Sequence, residues 1–136
     1  MRSYEILQRV RECPGMFFHR VEFDIATSFI QGFDSACCGG ILRGFNEWLI
    51  PRLGYGDNLA WSEVALHFIM KDDKNPRMNL SHSNQEIIVD SLFGLLQEFW
   101  NERDCDNGIR KIYIRYENWI REQDWYKPGN PDYISI

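Results

Sequence analysis

The sequence has no cysteine pair at CxxC spacing, no HxxxH or HExxH, no long apolar run and no surplus of basic charge. Each absence removes a class of function. Zinc held by thiolates needs two spaced pairs, which Cys13, Cys37, Cys38 and Cys105 do not supply, and His19, His67 and His82 are too scattered to complete a local metal motif. Neither a metal nor a cofactor is expected. The cysteines read instead as small packing residues or semi-exposed thiols in a reducing compartment. No stretch approaches the roughly eighteen apolar residues of a membrane span, and no apolar signal segment follows Met1-Arg2-Ser3-Tyr4-Glu5. The expected location is therefore cytoplasmic, with no membrane partner. Lysine and arginine total 15 against 20 aspartates and glutamates, a net charge of −5. A domain that grips a nucleic-acid backbone usually presents the opposite sign, so no direct nucleic-acid contact is expected. With 15% aromatic residues and only five prolines in 136 positions, disorder is excluded and one domain is the natural size.

What the sequence does contain is helical periodicity. Ser3 reads as the cap of a helix over 3–12 with Ile6, Leu7 and Val10 on its apolar face, ended by Cys13-Pro14-Gly15. Asp24 reads as the cap of a second helix to about Cys38, burying Ile25, Ser28, Phe29 and Gly32 or Phe33, with Gly39-Gly40 as the breaker. Ile41, Leu42, Phe45, Trp48, Leu49 and Leu53 recur at three- and four-residue intervals and predict a third helix, which Pro51 should kink or end near Leu49. Asn58 reads as the cap of a fourth, carrying Leu59, Trp61, Val64, Ala65, Phe68 and Ile69, and the polar stretch 71–80 reads as an exposed loop. Ser83-Asn84-Gln85-Glu86 matches a capping box ahead of the longest apolar stripe, Ile88, Leu92, Leu95, Leu96, Phe99 and Trp100. Ile87 and Val89 widen that stripe, so this helix is expected at the centre, contacted from more than one side. A last helix over about 109–122 presents Ile109, Ile112, Tyr113, Tyr116, Trp119 and Ile120, before an irregular tail from about 123 with Pro128, Gly129 and Pro131. The fold class is all-α: a single domain over 1–136, built as one irregular bundle of five to six helices.

Chemistry is harder to find. Glu98 and Glu102 lie one helical turn apart, a spacing at which paired carboxylates can divide acid and base roles, yet both occupy the polar side of an amphipathic helix. Gly39-Gly40 and Gly54-Tyr55-Gly56 lack the context of phosphate-binding loops. Arg110, Lys111, Arg115 and Arg121 alternate with aromatics whose spacing is that of a core face, and Glu117, Glu122 and Asp124 dilute their field. No catalytic residue is assigned, and the chain is not expected to be an enzyme. Tyr55, Asp57, Asn58 and Trp61 form a better candidate for protein recognition, because aromatics gain contact area at little entropic cost while polar neighbours orient the contact.

Four local patterns occur in order along most of the chain: Cys13-Pro14-Gly15-Met16, Gly44-Phe45-Asn46-Glu47-Trp48-Leu49, Leu59-Ala60-Trp61-Ser62, and Leu92-Phe93-Gly94-Leu95-Leu96-Gln97-Glu98-Phe99. In these the chain resembles the small helical immunity proteins of bacterial polymorphic toxin and contact-dependent growth inhibition systems. The resemblance implies binding and neutralisation of a cognate toxin domain, a nuclease among the options, without cofactor or turnover. Acidic groups would then steer association with a basic toxin cleft. The candidates are Tyr55, Asp57, Glu63, Asp72 and Asp73 around residues 54–73, and Glu98, Glu102, Asp104 and Asp106 at the end of the long helix. Residues 86–106 carry six carboxylates against Arg103 alone, which makes that helix and its following loop the first expected contact. A helical adaptor or regulatory module without toxin specificity is the alternative, and a homodimer sharing the Ile87–Trp100 surface stays open.

Overall fold

The computed structural model describes residues 2–126 and 128–129. Among these the chain is all helical: α1 (Arg2–Glu12), α2 (Phe23–Ala36), α3 (Phe45–Leu53), α4 (Trp61–Ile69), α5 (Gln85–Arg103) and α6 (Gly108–Arg121), with short 3-10 turns at Pro14–Met16, Pro76–Asn79 and Asp124–Tyr126. The tail beyond 129, including Pro131, lies outside the described residues.

The longest apolar stripe becomes the axis of the bundle. Along α5, Ile88, Val89, Leu92, Phe93, Leu95, Leu96, Phe99 and Trp100 are all buried, and this helix touches each of the other five. Leu7 and Val10 meet it from α1, Phe23, Ala26 and Ile30 from α2, Val64 to Leu66 from α4, and Ile112 from α6. Phe45 and Trp48 of α3 complete an aromatic knot with Phe99, at ring-centre distances of 5.2 and 5.8 Å. Each such side chain contributes roughly 1.5–3 kcal/mol of transfer free energy, so the centre of α5 is where a truncation costs most.

Several local expectations shift. In α1 the buried face is Tyr4, Leu7 and Val10, while Ile6 stays 41% exposed; Ser3 lies inside the helix, its Oγ 3.8 Å from Cys37 Sγ. In α2 the stripe falls on Phe23, Ala26, Thr27 and Ile30, leaving Ser28 and Gly32 exposed and Ile25 and Phe29 half-buried. Phe23 begins that helix and is completely buried, which rotates the rest. Ile41 and Leu42 precede α3 in a turn, their amides donating to Asp34 Oδ1 at 3.0 and 2.8 Å. Pro51 does not end α3. It withdraws one donor, and the helix runs on to Leu53, where Gly54 at φ 92° closes it by donating to the Ile50 carbonyl at 2.7 Å.

None of the four predicted caps forms: Ser3 lies inside α1, and Asp24 lies inside α2, whose N-cap is Glu22. α4 begins at Trp61 after Ala60, with Asn58 left in the preceding turn. The capping box is replaced by a cross-helix arrangement: Ser83 Oγ lies 3.0 Å from Ser81 Oγ, and the Gln85 side chain accepts the Phe23 amide of α2 at 2.7 Å. The starts of α2 and α5 are thereby joined.

The α5–α6 corner depends on glycine. A Cβ on Gly108 would fall inside van der Waals contact of the Glu102 and Arg103 carbonyl oxygens, both backbone atoms with little freedom to retreat. Gly32 is its opposite, exposed in mid-helix, where an added Cβ would meet nothing within 4 Å. Gly108→Ala should destabilise the fold by about 3 kcal/mol, whereas Gly32→Ala should stabilise it by about 0.5–1 kcal/mol. Urea unfolding of the two variants checks both signs.

Candidate partner-binding surface

The acidic end of α5 divides between groups committed to the fold and groups left to solvent. Glu102 belongs to the first kind. Its Oε2 accepts the Trp48 indole N–H at 2.7 Å and Arg52 Nη2 at 3.2 Å, and its Oε1 accepts Arg115. Arg52 in turn lies over the Trp48 ring, 4.2 Å from its centre. One carboxylate thus ties α3 to α6 across α5. Burial pushes its carboxyl up, but the Trp48 and Arg115 hydrogen bonds and the charges of Arg115 and Arg52 outweigh that and hold it below its ordinary value.

Asp104 is also engaged. It accepts the Tyr4 hydroxyl at 2.5 Å and Arg103 Nε at 3.0 Å. Desolvation, followed by that hydrogen bond to Asp104, pushes the Tyr4 phenol up to about 12. Tyr4 stacks on Trp100 at 4.3 Å, while Arg103, its side chain only 9% exposed, donates to the Ile41 and Arg43 carbonyls and to the Tyr4 oxygen. Glu98 and Asp106, by contrast, are exposed and have no hydrogen bond or ion pair among the described residues.

The same division appears around residues 54–80. Glu63 and Asp24 share Arg77, whose Nε reaches Glu63 at 2.9 Å and whose Nη1 reaches Asp24 at 3.0 Å. Asp73 closes the loop on itself, accepting the Asn75 amide at 3.1 Å and Asn79 Nδ2 at 2.6 Å. The Tyr55 hydroxyl lies 3.2 Å from His67 Nδ1, with the rings edge to face. Asp57 and Asp72 are exposed and unpaired among the described residues. The candidate residues therefore sit on three connectors, α3–α4 (Tyr55, Asp57), α4–α5 (Asp72, Asp73) and α5–α6 (Asp104, Asp106), and on α4 (Glu63) and the end of α5 (Glu98, Glu102), and no hydrogen bond or ring contact joins one of these groups to another among the described residues.

A further group, apart from Trp61, was not singled out from sequence. Gln31 of α2, Arg43 of the turn ahead of α3, Asn46 and Glu47 at the start of α3, Trp61 of α4 and Tyr113 of α6 line an open cleft of about 490 Å³. The Trp61 indole donates to Gln31 Oε1 at 2.7 Å. Neither Arg43 nor Glu47 has a side-chain ion pair among the described residues, and Asn46 Oδ1 is buried without a donor there. A buried carbonyl in that condition costs about 1–3 kcal/mol. Desolvation, then the Glu47 charge, raises the Tyr113 and Tyr116 phenols, and Asp57 adds to the effect on Tyr116. Asp57 and Glu47 thus bear on one aromatic stretch of α6. The visible signal was the polar pair Asn46-Glu47 wedged between core residues Phe45 and Trp48, but its partners come from three other helices.

No group of three or more metal-ligating side chains clusters among the described residues, and no helix there is long and apolar enough to cross a membrane. No protein-family model, curated protein or solved structure matches the chain.

The Glu102 bond offers a direct reading of this network. A carboxylate with a depressed folded pKa stabilises the fold above its unfolded value, and that contribution is lost as pH falls through the folded value. The Trp48 indole N–H resonance should therefore shift with a midpoint below 4.5, the ordinary value for glutamate. Glu102→Gln should abolish that titration. A midpoint at or above 4.5 would contradict the assigned hydrogen bond.

Proposed function

We propose that the chain is an immunity protein, a stoichiometric binder that neutralises a cognate toxin domain presenting a basic face. The observation that carries this reading is that, of the nine candidate residues, four are exposed carboxylates the fold does not use: Asp57, Asp72, Glu98 and Asp106. Their neighbours Glu63, Asp73, Glu102 and Asp104 are occupied by arginines, amides or a tyrosine, so the unpaired set is what remains to steer a cationic partner. The binding surface is carried on a packed helical scaffold, which limits the ordering cost of association. A nuclease toxin suits this charge distribution, because a cleft that holds phosphates also attracts carboxylates. Two of the four local patterns of the resemblance support the scaffold part of the reading: Phe45, Trp48, Leu49, Leu92, Leu96 and Phe99 are all core residues.

A second reading, the helical adaptor, draws on Met16, Met78 and Ile87, which are 82%, 83% and 71% exposed. Flexible apolar side chains such as the two methionines suit contact with more than one partner.

Affinity capture from the native lysate separates the two. The immunity reading predicts one stoichiometric partner with a toxin-like domain, whose activity is abolished at equimolar ratio. The variant Asp57→Asn/Asp72→Asn/Glu98→Gln/Asp106→Asn should keep its thermal unfolding midpoint and associate about tenfold more slowly at low salt. Several unrelated partners would favour the adaptor, and an unchanged association rate would remove the carboxylates from the interface.

A further inference from the structure

We infer that the cleft lined by Gln31, Arg43, Asn46, Glu47, Trp61 and Tyr113 receives a guanidinium side chain of the partner, a step that rests on the partner-binding reading above. Arg43 apart, the lining offers acceptors and negative charge. Asn46 Oδ1 is buried with no donor among the described residues, and the Glu47 carboxylate has neither a hydrogen bond nor an ion pair there. Asp34, also on the wall, already accepts two amides through Oδ1, so it adds negative charge without needing a further donor. The only donor on the Trp61 ring is spent on Gln31, which leaves the indole face and the Tyr113 ring, 41% exposed, as flat apolar walls.

An arginine side chain answers each feature. It carries five N–H donors and no acceptor, pairs with a carboxylate through two parallel bonds, and lies flat against aromatic rings. A lysine ammonium lacks the planar fork, and a neutral amide leaves Glu47 unpaired. Arg43 is the opposing term, a cation on the same wall with no ion pair of its own among the described residues. It weakens the site for any cation, so a ligand must gain more from Glu47 and the rings than it loses to Arg43.

The test needs no knowledge of the partner. N-acetyl-arginine methylamide is titrated into the 15N-labelled protein and compared with the citrulline analogue, which has nearly the same shape and no charge. Saturable shifts are expected at the Trp61 indole N–H, the Asn46 side-chain amide and the Gly44 amide, in the millimolar range, with the arginine probe alone. Glu47→Gln should weaken binding at least fivefold, and Arg43→Gln should strengthen it about twofold. A merely structural role for either residue would not move affinity in opposite directions. Equal shifts with citrulline, or none with arginine while the variants stay folded, overturn the inference. A captured toxin that leaves these resonances unmoved would sink the cleft and spare the immunity reading. An arginine-selective cleft in a protein that captures no partner would do the reverse.

Discussion

The Arg103 guanidinium is the point on which this arrangement turns. A charge that is nine-tenths covered is tolerable only when its donors are satisfied. Here they are met by the Ile41 and Arg43 carbonyls, the Tyr4 oxygen and Asp104, with the Phe99 ring 5.0 Å beneath. Those partners come from α1, from the turn ahead of α3 and from the end of α5, so one side chain sets how three separated parts of the chain meet. The Ile41 carbonyl also accepts the Trp100 indole at 2.9 Å, and Asp34 holds the Ile41 and Leu42 amides from the other side. The turn before α3 is gripped at both faces of its backbone. Gly44 follows at φ 89°, where a Cβ would stand 2.8 Å from Ile109 Cδ1, and the chain then enters α3 with Asn46 and Glu47 placed on the cleft wall.

Charge in this protein works at two levels that the net value of −5 does not distinguish. Glu102 acts as an internal bond, collecting an indole and two arginines from two other helices. Arg11 and Asp90 play a similar part between α1 and α5 at 2.9 Å, in a space that Gly94 leaves open, since a Cβ there would press on Arg11 Nη2. Asp57 and Glu47 have no such duty, yet Glu47 raises both Tyr113 and Tyr116, and Asp57 adds to it at Tyr116. Density of acidic residues along the sequence is therefore a poor guide to where negative charge is available to a partner.

The same contrast separates the parts of the structure that were legible in advance from those that were not. Six helices follow from apolar spacing, because a stripe as long as Ile88 to Trp100 has one way to bury itself. Helix starts were less legible. The Ser83–Glu86 pattern is locally satisfactory as a cap, but the helix starts one residue later, after Asn84, and the Ser83 hydroxyl lies against Ser81 instead, while Gln85 reaches the α2 amide that only the tertiary fold brings near. Tyr4 and Arg103 are separated by 99 positions and Trp48 and Glu102 by 54, so nothing in either neighbourhood announced the pairing. The cleft is the extreme case, drawing one or two residues from each of four helices and the rest from the turn ahead of α3.

The central claim is that the buried Arg103 hub holds the turn that shapes the cleft. Amide hydrogen exchange in Arg103→Lys tests it most directly, because lysine keeps the charge and loses the planar fork. The Ile41 and Leu42 amides are expected to lose protection by about tenfold or more, as follows from unpairing buried carbonyls, while the centre of α5 stays protected relative to them. Unchanged protection at Ile41 and Leu42 in a folded Arg103→Lys protein would contradict it.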